Sequence, residues 1–209
     1  MNERETIANF ISSLPELKTK YDDIAPFDNT GGEGQFSVIL RAKMRKRPVI
    51  LKFDGPWNNG YRRSAFDREY NLLKDLQGQK EIIQILGDME QIETSVVASD
   101  GVTKLPYLLK YFPMETAVTD MAALIHSSGK PRLVSRLILF RAACRGVRKL
   151  HNRKICHRDL KPQNMLIFGP DNVKVGDFGT ARRLGESASG ILETYDFARG
   201  DPTPSYRPL

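Results

Sequence analysis

Two short runs gather most of the groups that could do chemistry. His157-Arg158-Asp159-Leu160-Lys161-Pro162-Gln163-Asn164 is followed, after a strand-like Val173-Lys174-Val175, by Asp177-Phe178-Gly179. Asn164 lies five positions after Asp159, and Asp177 lies eighteen after it. Two carboxylates, an amide and a lysine so spaced can accept a proton, orient a polar substrate and neutralise developing charge. Taken singly, Asp159 and Asp177 could be turn residues beside Pro or Gly. That reading explains each residue and leaves their joint spacing unexplained.

Read together, the runs resemble the catalytic loop, H-R-D-x-x-x-x-N, and the D-F-G motif of the eukaryotic-type protein kinase family. The resemblance implies an ATP- and Mg²⁺-dependent serine/threonine protein kinase, whose partners are proteins with a Ser or Thr acceptor. Phosphoryl transfer has a loose transition state, so such a protein mainly positions groups and offsets charge. By resemblance Asp159 accepts the proton of the substrate hydroxyl, and Lys161 lies against the γ-phosphate as in Ser/Thr kinases. Asn164 and Asp177 hold Mg²⁺, a hard cation that an amide and a carboxylate oxygen suit. Leu166, two after Asn164, forms the floor beneath the adenine.

The parts expected upstream can be sought next. Thr30-Gly31-Gly32-Glu33-Gly34-Gln35-Phe36-Ser37-Val38-Ile39 resembles the glycine-rich loop that covers the phosphates, which makes Gly32, Glu33, Gly34, Gln35, Phe36, Ser37 and Ile39 nucleotide contacts. Glycine lets backbone N–H groups approach phosphate oxygens with no Cβ in the way. Alone the run could equally be a plain Gly-rich hairpin. It precedes Val49-Ile50-Leu51-Lys52, which resembles the V-A-I-K strand and makes Lys52 the α/β-phosphate lysine and Ile50 part of the adenine roof. Lys52 then needs a carboxylate. Phe66, Tyr70, Leu72, Leu73 and Leu76 recur at near-helical spacing, and Glu69 shares a face with Leu73 four residues on. Glu69 is therefore the expected partner, with Asp67 the competitor. Three positions depart from the family pattern. Gly31 stands where Leu or Ile usually roofs the adenine, Ile50 replaces an Ala, and Ser37 replaces a Gly. The first removes apolar volume and the second adds it, so the two can compensate in a close-packed roof. None removes a catalytic group, and an active enzyme is expected.

The elements that must hold these residues divide the chain into a capping segment over 1–25, a small lobe over 26–111 and a partial large lobe over 112–209. The fold class is α+β: a bilobal, protein-kinase-like fold with a β-rich small lobe, one main helix and a truncated helical large lobe. An amphipathic stretch from Ile7 to Leu17 caps the domain. Strands are expected over 26–52, a helix over 62–77, and two strands over 82–111 with a loop near Ser99-Asp100-Gly101. The hinge would follow Pro106 to Phe112, with Leu109 as gatekeeper and the backbone of Lys110 and Phe112 meeting the adenine. Helices are expected near Thr116 to Ser127 and from Leu133 to His151. In the longer one, Val134, Leu137, Phe140, Ala143, Cys144, Val147 and Leu150 form a stripe read as its buried face.

A length of 209 residues with 40% hydrophobic content suffices for a core, and the net charge of +7 comes from dispersed basic residues. Solvated faces and an acidic or phosphorylated partner account for that charge, and nucleic-acid binding is not expected. Cys144 and Cys156 form no metal-binding spacing and read as reduced core residues of an intracellular, cytoplasmic protein. No apolar run approaches the roughly 18 residues of a membrane span, and Met1-Asn2-Glu3 begins neither a signal peptide nor a myristoylation site.

From Gly179 to Leu209 the chain reads as an activation segment, in which Tyr206-Arg207-Pro208-Leu209 resembles Y-x-[AS]-P-E without its Glu and Thr203 matches the substrate-loop threonine. The family's later helices are absent from this sequence, as in a trimmed chain, a proteolysed one or a minimal kinase. Arg158 could hold a phosphate on this segment, with Thr194 or Ser189 the favoured acceptors. Two alternatives remain beside the protein kinase: a kinase-fold scaffold or regulator with little catalysis, and a small-molecule kinase of related fold. Arg158, Lys161 and Pro162 around Asp159 speak against the latter.

Overall fold

The computed structural model describes residues 3–27, 37–55, 60–97, 104–129 and 131–184. They fall into two compact units, one from the described parts of Met1–Thr30, Gln35–Tyr70 and Ile85–Thr116, the other from those of Asn71–Gln84 and Ala117–Leu209.

Period-two alternation builds the first unit. Strands β1 (Asp22–Pro26), β2 (Ser37–Met44), β3 (Arg47–Asp54), β4 (Glu90–Val97) and β5 (Lys104–Glu115) form an antiparallel sheet of order β1-β2-β3-β5-β4. Val38, Leu40, Ala42, Val49, Leu51, Phe53, Ile92, Leu109 and Tyr111 all point to one face. The apolar stripe of α1 (Glu3–Ser13) and α2 (Pro15–Lys18) covers that face, with Ala8, Ile11, Leu14 and Leu17 joining the same core. Burying each such aliphatic side chain contributes about 1.5–3 kcal/mol.

The other face of the sheet carries the residues of chemical interest. Ile39 lies opposite Lys52, Lys52 opposite Phe112, and Ile50 opposite Met114. Directly opposed residues of an antiparallel ladder share a face. On this face the rings of Phe66 and Tyr70, from α3 (Gly60–Asp75), rest against Phe112 with centroids 5.1 and 5.4 Å away.

β5 runs unbroken to Glu115, so the lobe boundary expected at 111/112 falls inside a strand. Pro113 sits inside this strand although proline cannot donate to a ladder. Here β4 has already ended at Glu90, opposite Tyr111, and Pro113 needs only to accept, taking the Leu86 N–H at 2.8 Å.

The second unit contains β6 (Thr119–Asp120), α4 (Met121–His126), α5 (Leu133–Asn152), β7 (Ile155–Cys156), β8 (Met165–Gly169), β9 (Asn172–Val175) and β10 (Arg182–Arg183). β6-β8-β9 make one small sheet and β10-β7 another. Asp120 caps α4, its carboxylate accepting the Ala123 N–H at 2.9 Å. The expected buried face of α5 is corrected. Leu139, Ala142, Ala143, Gly146 and Leu150 are buried, whereas Val134, Leu137, Phe140 and Cys144 are exposed and Val147 is half-buried. The helix carries two apolar stripes, and the one with small residues is chosen because β9 approaches closely. Cys156 is half-buried, and neither cysteine forms a disulfide.

Gly146 marks that approach. A Cβ there would meet Val175 Cγ2 at 2.7 Å and the Glu81 carbonyl oxygen at 3.0 Å. Although alanine is the better helix former by about 1 kcal/mol, Gly146→Ala is expected to destabilise by about 1–3 kcal/mol through overpacking. A thermal melt of the variant checks this; an unchanged or raised midpoint contradicts it.

Candidate active site

In the first unit the central feature is a buried ion pair. Lys52 Nζ donates to both Glu69 carboxylate oxygens at 2.6 and 2.7 Å, with side chains 8% and 3% exposed. β3 fixes the lysine, and the Phe66–Tyr70 ridge on Phe112 sets the helix that brings the carboxylate. Asp67 pairs instead with Lys110, whose Nζ donates to both its oxygens at 2.8 Å. Ile50 is buried and Ile39 half-buried on the Lys52 face, and Ser37 opens β2 opposite Asp54. Gly32, Glu33, Gly34, Gln35 and Phe36 lie outside the described residues, as do all the hydroxyls proposed for phosphorylation.

The expected hinge is corrected. Leu109 lies three positions from Phe112 on β5 and points into the core beneath α1, on the face opposite Lys52, so its side chain cannot act as gatekeeper. Lys110 and Phe112 are strand residues, registered with Gln91 and Lys52, and not a linker that offers backbone to a ligand. The chain leaves β5 only after Glu115.

In the second unit the catalytic-loop residues converge. Lys161 Nζ stands 2.9 Å from Asp159 Oδ2. Asn164 Nδ2 donates to the Asp159 carbonyl oxygen at 2.8 Å and reaches its Oδ2 at 3.2 Å. With the amide nitrogen so engaged, Oδ1 is the acceptor end of the Asn164 side chain. The Gly176 N–H donates to the Asn164 carbonyl at 2.9 Å, and Gly176 O meets His157 Nε2 at 2.9 Å. Thr180 Oγ1 donates to the His157 carbonyl at 2.9 Å. These bonds tie the segment bearing Asp177 to the loop bearing Asp159.

Two backbone positions beside these carboxylates are strained. Arg158 and Asp177 adopt φ of +70° and +60°. Left-handed conformations cost non-glycine residues about 1–3 kcal/mol and persist where the surroundings over-determine them. Gly176 is a site residue that the motif reading passed over. A Cβ there would sit 2.6 Å from Leu166 Cδ1, so the only sequence signal was a lone glycine before Asp177.

His157 is buried against Phe178, ring centroids 5.0 Å apart. Its Nδ1 makes no hydrogen bond. Burial lowers its pKa, and the Gly176 carbonyl only partly opposes the shift. A histidine with a lowered folded pKa binds its proton more readily when unfolded. Stability is therefore expected to be full above the unfolded value near 6.5 and to fall as pH drops through it, by up to about 1.4 kcal/mol per pH unit. Denaturant titrations at pH 7.5 and 5.5 on the parent and His157→Phe check this; equal losses in both proteins contradict it.

The donor set suits a hard cation. Asn164 and Asp177 carry oxygens that could ligate one, and among the described residues no group of three or more His, Cys, Asp or Glu forms a metal cage. Mg²⁺ is commonly held by one or two protein oxygens together with substrate phosphates, and these residues fit that mode. No helix among the described residues is long and apolar enough to cross a membrane.

Comparisons with known proteins agree with this geometry. The model of the protein kinase domain matches residues 27–208. The mitogen-activated protein kinase HOG1 of Arthrobotrys oligospora is 27% identical over 190 residues, covering 90% of this chain and 49% of its own length. The mitogen-activated protein kinase sty1 of Schizosaccharomyces pombe is 26% identical over 182 residues, covering 86% and 46%. Extracellular signal-regulated kinase 2 of Dictyostelium discoideum is 28% identical over 157 residues, covering 73% and 38%. The chain thus spans about half the length, or less, of these curated relatives.

Proposed function

Because the chain belongs to the protein kinase family, we propose that it transfers the γ-phosphate of ATP to serine or threonine hydroxyls of protein substrates in the cell interior. The observation that carries this reading is the Asp159–Lys161–Asn164 cluster, with its 2.9 and 2.8 Å contacts, inside the matched region. Bound Mg²⁺·ATP supplies the transferable group and the cation that offsets phosphate charge. Asp159 takes the proton of the acceptor hydroxyl as that oxygen attacks. Lys161 offsets charge next to it. Asn164 Oδ1 and the Asp177 carboxylate are the cation ligands, and Lys52, aimed by Glu69, is the phosphate lysine. Ile39 and Ile50 give one unit an apolar surface for a base, and Leu166 gives the other unit one.

The names of two of the relatives, which read protein kinase, support a protein acceptor, and Lys161 in the loop agrees with the serine/threonine class. The test is to incubate the chain with Mg²⁺, γ-labelled ATP and a mixture of protein and small-molecule acceptors, then identify the labelled residues. Label on protein Ser and Thr is expected. Label confined to small molecules, to Tyr, or to free phosphate contradicts the reading.

A further inference from the structure

We infer that the Lys110–Asp67 ion pair is a positioning device that fixes the rotation of α3, so that Glu69 stays on Lys52. The inference rests on the phosphotransfer reading for its effect on rate, while its effect on the helix stands apart from it. At the α-helical repeat of about 100° per residue, Glu69 and Asp67 lie roughly 80° to either side of the line midway between Phe66 and Tyr70. That line is the aromatic ridge seated on Phe112, at 5.1 and 5.4 Å. On the sheet, Lys52 stands across from Phe112 on β3, and Lys110 precedes it by two on β5, on the same face. Each flank of the ridge therefore meets its own lysine, both carboxylates being bidentate at 2.6–2.8 Å. Turning the helix about its axis in either direction breaks one pair. Pairing Lys52 with Asp67 would need a turn of about 160°, which would lift both rings from Phe112.

The two pairs differ in setting. Lys110 and Asp67 side chains are 19% and 36% exposed, against 8% and 3% for Lys52 and Glu69. A half-exposed pair adds little to global stability. Its consequence is directional: it occupies Asp67, the one carboxylate on this stretch that could compete for Lys52, and holds the second flank.

The test uses the full chain and four forms of it: Asp67→Asn, Asp67→Lys, Lys110→Glu and the double Asp67→Lys/Lys110→Glu. Hydrogen exchange of the α3 amides is read with no catalysis involved. Protection should fall about tenfold in Asp67→Lys and in Lys110→Glu and return in the double variant. Phosphoryl transfer should follow, with kcat lowered about tenfold in each single reversal and restored to within about threefold in the double. Asp67→Asn, the mildest change, should lower kcat about threefold while its melting temperature moves by no more than a few degrees, and it decides the matter if a reversal fails to fold. Unaltered α3 protection in the single variants, or reversal losses that simply add in the double, would overturn the inference. A parent chain that transfers no phosphate overturns the functional reading instead, and the exchange data then still decide the clamp.

Discussion

Asp159→Asn is expected to lower phosphoryl transfer roughly a hundred- to ten-thousandfold while leaving Mg²⁺·ATP affinity within a few fold of the parent. The substitution keeps the side chain's shape and an oxygen able to receive Asn164 Nδ2, which lies 3.2 Å from Oδ2. What it removes is the basic oxygen that takes the acceptor proton and the charge that Lys161 faces at 2.9 Å. Binding energy for the nucleotide resides elsewhere in this account, on Lys52 and on the cation held by Asn164 and Asp177. The loss should therefore fall on kcat and not on KM for ATP. Equal losses in both, or wild-type turnover, would remove Asp159 from its role.

Lys52→Met should have an effect of similar size on transfer and a second one on stability. Glu69 is 3% exposed, and without Lys52 its buried carboxylate loses the ammonium that stands 2.6 Å from it. Removing one partner of a buried pair commonly costs about 3–5 kcal/mol, whereas replacing both with apolar side chains is often neutral. The double variant Lys52→Met/Glu69→Leu is therefore expected to recover most of the lost stability and none of the lost transfer. Denaturant unfolding of the single and double variants, beside a transfer assay, separates the two effects. A Lys52→Met protein as stable as the parent would show that the pair is not desolvated.

Sequence spacing reached the chemical groups more surely than it reached the surfaces around them. Asp159, Lys161, Asn164 and Asp177 sit at fixed intervals because one loop and one strand-turn must bring them together, so short-range order alone points to the cluster. Glu69 could be told from Asp67 by the apolar residues that set the helix face. The opposite happened along β5. The hinge expected at Lys110 and Phe112 depends on where a strand ends, and β5 runs on to Glu115 beside β3 after β4 has stopped opposite Tyr111. The face of Leu109 follows from its register with Ile92 and the position of α1, both long-range facts. On α5 the two apolar stripes have similar periodicity, and only the approach of β9 to Gly146 decides which is buried. Gly176 was passed over because its constraint is a single contact with Leu166, remote in kind from any motif.

The central claim is that these residues move a phosphoryl group to protein hydroxyls. The most direct test is to follow label from γ-labelled ATP into protein with and without Mg²⁺, using the parent and Asp159→Asn at matched nucleotide occupancy. Mg²⁺-dependent, acid-stable label on Ser and Thr is expected from the parent, and label lower by about a hundredfold or more from Asp159→Asn at the same occupancy. Nucleotide bound by both proteins with no label transferred by either would contradict it.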